Sequence, residues 1–301
     1  MAKIQIVEVG PRDGLQNEKA LLEIEDKIVL IERLEACGVK RIEAVSFVNP
    51  TRVPQMAGAE EIMAALPAAA THRIGLVLNM RGWERAVAAQ CDEANVVVCA
   101  SDGFGIRNQG ASVEDQITTL EAIAERRAAE GGPPISMTVS VAFGCPFEGE
   151  VPKARVVELV RRAAAAGVAE IALADTIGVA DPWTVRDRIA GAKSAAPDTT
   201  LRMHFHDTRN TGLANAFASV EAGVDVLDAS VGGLGGCPFA PAATGNIATE
   251  DLVYMLQRAG FDTGLDLDGL IETGRWVCDK LGKPPPSALI RAGVFPGKLL
   301  T

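Results

Sequence analysis

Eight short runs rich in β-branched and apolar residues recur along the chain, each separated from the next by a longer stretch with helical periodicity. This alternation limits the fold more than any other feature. The runs are Ile4–Val9, Arg41–Ser46, Arg73–Leu78, Ala94–Cys99, Ser136–Val141, Glu170–Asp175, Leu201–Asp207 and Val224–Ser230. A strand followed by a helix returns the chain to the start of the next strand, so repetition builds a parallel sheet with helices on its outer side. Eight such units are the number that closes a barrel, and the expected fold is an α/β (β/α)8 TIM barrel.

Helices are predicted over Asp26–Cys37, Ser112–Glu130, Pro152–Ala166, Pro182–Ala192 and Asn210–Ala222. Three joints repeat one theme: Ala36-Cys37-Gly38-Val39, Ala166-Gly167-Val168 and Ala222-Gly223-Val224. In each, the glycine stops the helix and the valine opens the approach to the next strand. An open dinucleotide-binding sheet is the competing architecture, but the first turn reads Gly10-Pro11-Arg12-Asp13-Gly14 and lacks G-x-G-x-x-G. With 301 residues the chain has the size of one such barrel. The reading is a single catalytic domain over 1–301, with the barrel at about 4–260 and a C-terminal appendage at about 261–301. Two further helices, Ile247–Ala259 and Leu267–Leu281, are expected after the last strand, and the tail from Lys283 to Thr301 is expected to be irregular.

The composition, 48% hydrophobic and 23% charged, suffices for a sizeable core. A net charge of −10 repels phosphate backbones and anionic bilayers, so neither nucleic acid nor membrane is an expected partner. A small anionic substrate remains compatible if a cation cluster or a metal reverses the field inside one cleft. The six cysteines form no C-x-x-C pair and read as free thiols in a reducing compartment. No apolar run reaches membrane-spanning length, and the sequence opens directly on a strand pattern, so a cytoplasmic enzyme is expected.

Chemistry concentrates at predicted strand ends. His204-Phe205-His206-Asp207 closes the seventh run, and residues two apart on a strand face the same side, so both imidazoles reach one point. That is metal-ligand spacing, set against a reading as two hydrogen-bonded core histidines. Arg12 and Asp13 follow the first strand, offering a permanent cation for an oxyanion and a hard oxygen ligand; an ordinary ion pair in a tight turn is the alternative. Glu43 sits inside a β-branched strand, where it pairs with Arg12 or faces solvent. Asp175 ends the sixth run as an acid behind the site or as a helix cap. After the eighth run comes Gly232-Gly233-Leu234-Gly235-Gly236-Cys237-Pro238-Phe239-Ala240-Pro241-Ala242-Ala243-Thr244-Gly245-Asn246, which reads as a mobile lid carrying one titratable thiol. Asn246 offers either a ligating carbonyl oxygen or a helix N-cap.

The first-strand turn, the H-x-H-D pair and this cysteine-bearing loop resemble those of the HMG-CoA lyase family. The likeness runs from about Ile4 to Leu281 and includes Ile42-Glu43-Ala44-Val45-Ser46-Phe47-Val48 and Asp175-Thr176-Ile177-Gly178-Val179. The H-x-H-D and R-D-G elements are shared with a wider superfamily of metal-dependent barrels, whereas the loop is more specific. The resemblance implies a divalent cation, Mg or Mn, held by Asp13, His204, His206 and Asn246. It further implies that Arg12 stabilises an enolate, that Glu43 orients Arg12, and that Cys237 acts from the loop over an acyl-CoA substrate. Gln16, Asp175, Asp207, Arg209 and Glu250 then contact substrate or back the ligands. The implied reaction is retro-Claisen cleavage of 3-hydroxy-3-methylglutaryl-CoA to acetyl-CoA and acetoacetate, by an enzyme expected to be a homo-oligomer.

One departure bears on substrate. Where the family pattern commonly has tyrosine, glycine and glutamine after H-x-H-D-T, this chain has Arg209-Asn210-Thr211. A cation there accommodates another acyl tail, such as that of citramalyl-CoA or isohexenylglutaryl-CoA, or else faces outward and changes nothing. Two other classes share parts of the pattern: a Claisen-type 2-oxo acid condensing enzyme, and a non-catalytic metal barrel that binds acyl-CoA.

Overall fold

The computed structural model describes residues 2–68, 70–237 and 240–295, with backbone alone at 237 and 240–244. Its eight parallel strands are β1 (Gln5–Glu8), β2 (Arg41–Ser46), β3 (His72–Val77), β4 (Glu93–Cys99), β5 (Ile135–Ser140), β6 (Glu170–Asp175), β7 (Thr200–Phe205) and β8 (Val226–Ala229). Each pairs with its sequence neighbours, and β8 pairs with β1, so the sheet closes as the alternation requires. The helices are α1 (Ile24–Ala36), α2 (Ala59–Ala65), α3 (Met80–Ala88), α4 (Asp102–Asn108), α5 (Val113–Glu130), α6 (Lys153–Ala165), α7 (Pro182–Ala195), α8 (Gly212–Glu221), α9 (Thr249–Arg258), α10 (Leu267–Lys280) and α11 (Ala288–Ala292). Short helices not foreseen in the sequence occupy Ala59–Ala65, Met80–Ala88 and Asp102–Asn108. At the three repeated joints, Gly38, Gly167 and Gly223 adopt φ of 89°, 81° and 77°. There the amide of the following valine bonds back to Leu34, Ala163 and Ser219 respectively, closing each helix as its glycine predicts.

The period-2 alternation of the strands separates two interiors. Ile42, Met137, Val139, Ile171, Leu173 and Met203 turn outward into the main core with Leu30, Ile31 and Leu34 of α1 and Ile117, Leu120 and Ile123 of α5. Inside the barrel the only separate apolar cluster among the described residues is Val7, Val9, Ile74 and Val226. Much of the rest of the lumen is polar. Arg41 on β2 crosses to Glu170 on β6 with two bonds of 2.7 and 2.9 Å and to Glu93 on β4 at 2.8 Å. Arg202 on β7, 1% exposed, lies 3.3 Å from Glu170 and 3.5 Å from Asp228. Buried ion pairs of this kind roughly offset their own desolvation, so the helix–sheet layer carries the stability and the lumen fixes geometry.

Two expectations are corrected. The seventh strand ends at Phe205, not Asp207; His206 instead forms an isolated bridge with Asn246. The tail is not wholly irregular: α11 forms where Asp251 accepts the amides of Ala288 and Leu289 at 2.9 and 2.7 Å, with Ser287 as N-cap. Leu289 and Ile290 then bury against Ile271 of α10. Among the described residues, no helix is long and apolar enough to cross a membrane.

Candidate active site

At the C-terminal end of β1 the chain tightens into a π-helical turn over Gly10–Gly14, a rare geometry that often marks functional positions. Its two glycines are required by close approach. A β-carbon on Gly10 would lie 2.7 Å from Glu8 Oε1, and one on Gly14 would lie 2.5 Å from Ser230 Oγ. The turn projects Arg12 and Asp13 over the barrel mouth. Arg12 donates from Nε to Glu43 Oε2 at 2.7 Å and from Nη1 to Asp13 Oδ1 at 2.6 Å, and its Nη2 also meets Glu43. Asn95 on β4 donates to the other oxygen of Glu43 at 2.9 Å. Glu43 therefore faces inward and locks the guanidinium, aided by a register shift between Glu43 and Val45 of β2.

Opposite the turn stand the two imidazoles. Asp13 Oδ2 lies 3.8 Å from His204 Nε2 and 3.6 Å from His206 Nε2, and Asn246 Nδ2 donates to the same oxygen at 2.8 Å. Ligand atoms of Asp13, His204 and His206 all fall within 4.8 Å of one another, the one such group among the described residues. Burial opposes ionisation of Asp13, but Arg12 and the two histidines hold its carboxyl well below the usual range. Burial likewise opposes the charge on Arg12, and the Glu43 and Asp13 carboxylates outweigh it. For His204, desolvation is overcome by Asp228 and Asp13, which raise its pKa above 6.5.

Two features fit this group to a divalent cation. Among the described residues, Asn246 Oδ1 is buried with no hydrogen-bond partner, beside the Asp13 carboxylate that its own amide meets. Moreover, three guanidinium groups (Arg12, Arg41, Arg202) face five buried or nearly buried carboxylates (Asp13, Glu43, Glu93, Glu170, Asp228), two more than they neutralise one for one, and the other groups paired with these carboxylates are the imidazoles of His72, His204 and His206. A hard dication answers that deficit.

Beside this group opens a cavity of about 480 Å3, lined on one side by Phe47, Leu76, Val97 and Phe104 and on its floor by Asn95 and Thr138. Gln16 lines it, as do Arg12, Asp13, Glu43, His204 and His206. Other residues expected near the chemistry stand elsewhere. Asp175 has outward strand parity and accepts the amides of Val179 and Ala180, both at 2.9 Å; the cap of α7 is Asp181. Asp207 accepts Gly212 N at 2.9 Å at the start of α8. Arg209 donates to the carbonyls of Ile177 and Gly178 at 2.8 and 3.0 Å and does not line the cavity. Glu250 lies under the loop after β8, accepting Gly232 N. The side chain of Cys237 lies outside the described residues; its backbone forms part of a short antiparallel ribbon, Gly236–Cys237 with Ala240–Thr244. The other five cysteines are buried and free, and burial pushes Cys91 and Cys99 up to about 12 and Cys278 to about 11. Sequence reading passed over Asn95, Thr138 and Asp228; for Asn95 the signal available was a lone polar residue inside an apolar run.

Two buried acids support the loop bases. Desolvation pushes Glu8 up to about 7 and Glu250 up to about 8, from the usual 4.5. Each keeps its proton in the folded protein after the unfolded chain has lost its own. Their contribution to stability is complete below pH 4.5 and is lost as pH rises towards 7 for Glu8 and 8 for Glu250. Glu250→Gln, which cannot ionise, is therefore expected to flatten the fall of Tm between pH 5 and 8 and to gain about 1–3 kcal/mol at pH 8. Parallel melting curves for mutant and wild type across that range would refute the shifted acid.

Fold and site together define a (β/α)8 enzyme with a candidate metal site at the C-terminal strand ends. The chain belongs to the HMGL-like family, which it matches over residues 3–277. It is 42% identical to (R)-citramalyl-CoA lyase of Chloroflexus aurantiacus, over 98% of this chain and 97% of that one. It is 40% identical to the mitochondrial hydroxymethylglutaryl-CoA lyase of Homo sapiens, over 96% and 89%. A solved HMG-CoA lyase of Acinetobacter baumannii, in complex with coenzyme A and 3-methylmalate, superposes with a TM-score of 0.92 at 39% identity, covering 97% of this chain and 96% of that one.

Proposed function

We propose that this protein cleaves 3-hydroxy-3-methylglutaryl-CoA to acetyl-CoA and acetoacetate. The observation that carries the reading is the convergence of Arg12 with the Asp13, His204 and His206 group on one mixed cavity, in a chain of this family. Asp13, His204, His206 and Asn246 would hold the cation, Mg or Mn. When bound, the cation acidifies the tertiary hydroxyl of the substrate. A general base takes the hydroxyl proton, that oxygen becomes a ketone as the adjacent carbon–carbon bond breaks, and the bonding pair passes into the thioester as an enolate. Three of the five donors of Arg12 are engaged by Glu43 and Asp13, so the guanidinium is held with hydrogens to spare for the enolate oxygen. Cys237, on the loop, supplies the proton that converts the enolate carbon to a methyl group.

The likeness to a citramalyl-CoA lyase supports a second reading, with (R)-citramalyl-CoA as the substrate. Arg209 does not favour either, since its Nη1 bonds backbone carbonyls and the residue does not line the cavity. Steady-state kinetics on 3-hydroxy-3-methylglutaryl-CoA, (R)-citramalyl-CoA and isohexenylglutaryl-CoA, each with Mg2+ or Mn2+, tests the choice. The highest kcat/KM is expected for the first; a preference for another reassigns the substrate, and no cleavage of any removes the lyase reading.

Cys237→Ser is expected to fold and bind metal but to lose most of its turnover, because a hydroxyl holds its proton too tightly to exchange it near neutral pH. Alkylation with peptide mapping should label Cys237 in the free enzyme and spare it when an acyl-CoA analogue is bound. An unreactive Cys237, or near wild-type kcat in the serine variant, would make the loop only a cover.

A further inference from the structure

We propose that Asp228, backed by Arg202, is a positioning residue that sets the tautomer of His204 and so makes it a cation ligand. The inference rests on the metal reading above but assigns a role to two residues outside the ligand set. β8 runs beside β7 with Val226 opposite Arg202 and Leu227 opposite Met203, which places Asp228 level with His204 on the same inner face. Asp228, 4% exposed, brings Oδ2 within 3.1 Å of His204 Nδ1. A carboxylate accepts only, so the ring proton sits on Nδ1 and the lone pair is left on Nε2. Nε2 is the nitrogen turned towards Asp13. The opposite tautomer would present a hydrogen to the cation and could not ligate it.

Arg202 supplies the second half of the device. Its Nε lies 3.5 Å from Asp228 Oδ1, and neither atom has a hydrogen-bond partner, so charge rather than a directed bond links them. Glu170 lies 3.3 Å from the same Nε of Arg202 and is itself bound by Arg41 through two hydrogen bonds. Asp228 thus has a buried cation beside Oδ1, which favours its charged form, and directs Oδ2 to His204. Among the described residues His206 Nδ1 has no hydrogen-bond partner, so there only His204 is oriented from behind. Partners of this kind commonly change metal affinity by 10–100-fold when removed.

Two measurements test the inference. Mn2+ titration followed by electron paramagnetic resonance gives the dissociation constant without reference to turnover. Wild type is expected to bind, and Asp228→Asn to bind about 10–100-fold more weakly with an unchanged circular dichroism spectrum. Long-range proton–nitrogen spectra of wild type, cation-free and Mg2+-bound, at a pH where the rings are neutral, should show His204 protonated on Nδ1. The chain has only three histidines, and spectra of H72Q and H206Q assign them. The spectra decide the question even if the asparagine variant fails to fold. Equal Mn2+ affinity in wild type and variant, or a His204 proton on Nε2, overturns the positioning role while leaving the metal reading intact. Wild type that binds no Mn2+ overturns the metal reading itself, and the inference falls with it.

Discussion

Turnover is expected to vanish in excess chelator and to return on addition of Mg2+ or Mn2+. The physical cause lies in the lumen, where five carboxylates face three guanidinium groups and Asp13 stands between Arg12 and two imidazoles. Without a dication, Asp13 is left to Arg12 and to whatever protons the histidines retain, and nothing remains to acidify a substrate hydroxyl. His206→Ala is expected to match chelation, with loss of at least about 10³-fold in kcat that added metal only partly restores. Zn2+ is expected to occupy the ligands but to support turnover poorly, since its preference for four-coordination leaves fewer positions for substrate oxygens. Full activity of rigorously metal-stripped enzyme would remove the metal from the mechanism.

Arg12→Gln is expected to lower kcat by about 10²-fold or more with a much smaller change in KM, as for the loss of one preorganised oxyanion donor. Its geometry supports action late in the reaction, because Glu43 and Asp13 fix the guanidinium before substrate arrives. The substitution also strands Glu43, whose remaining polar partner is Asn95, and stranding a buried charge costs about 3–5 kcal/mol. The double variant Arg12→Gln with Glu43→Gln separates the two effects. It should recover much of the lost Tm while kcat stays low. A pure KM effect would assign Arg12 to substrate binding, and recovery of kcat in the double variant would reduce the single-variant defect to instability.

Legibility of the site followed strand parity. His204 and His206 could be paired from their spacing, and Glu43 could be marked because a carboxylate in a β-branched run needs a partner. Asp175 shows where that reasoning stops: its strand position is as suggestive, yet its parity turns it outward, where it binds the amides of Val179 and Ala180. Arg209 shows the same limit, since a cation beside the metal pair in sequence is held by carbonyls of another loop in space. Asp228 went unmarked because a single acid in Val226–Ala229 carries no spacing signal until β7 and β8 are laid side by side.

Local chemistry in the sequence determined the elements: β-branched alternation made the strands, glycine after each helix made the joints, and eight repeats made closure the natural end. The sequence also determined which residue types meet a metal and an enolate. Tertiary structure alone decided which of them meet one another. Arg41 and Glu170, or Arg202 and Asp228, interact across a lumen that exists only once the sheet has closed, and the strength of each pair depends on the burial that closure brings. The reach of a side chain is a few ångströms, so a candidate ligand set drawn from the turn after β1, the end of β7 with the residue after it, and the segment after β8 is a property of the closed barrel, not of any stretch of chain.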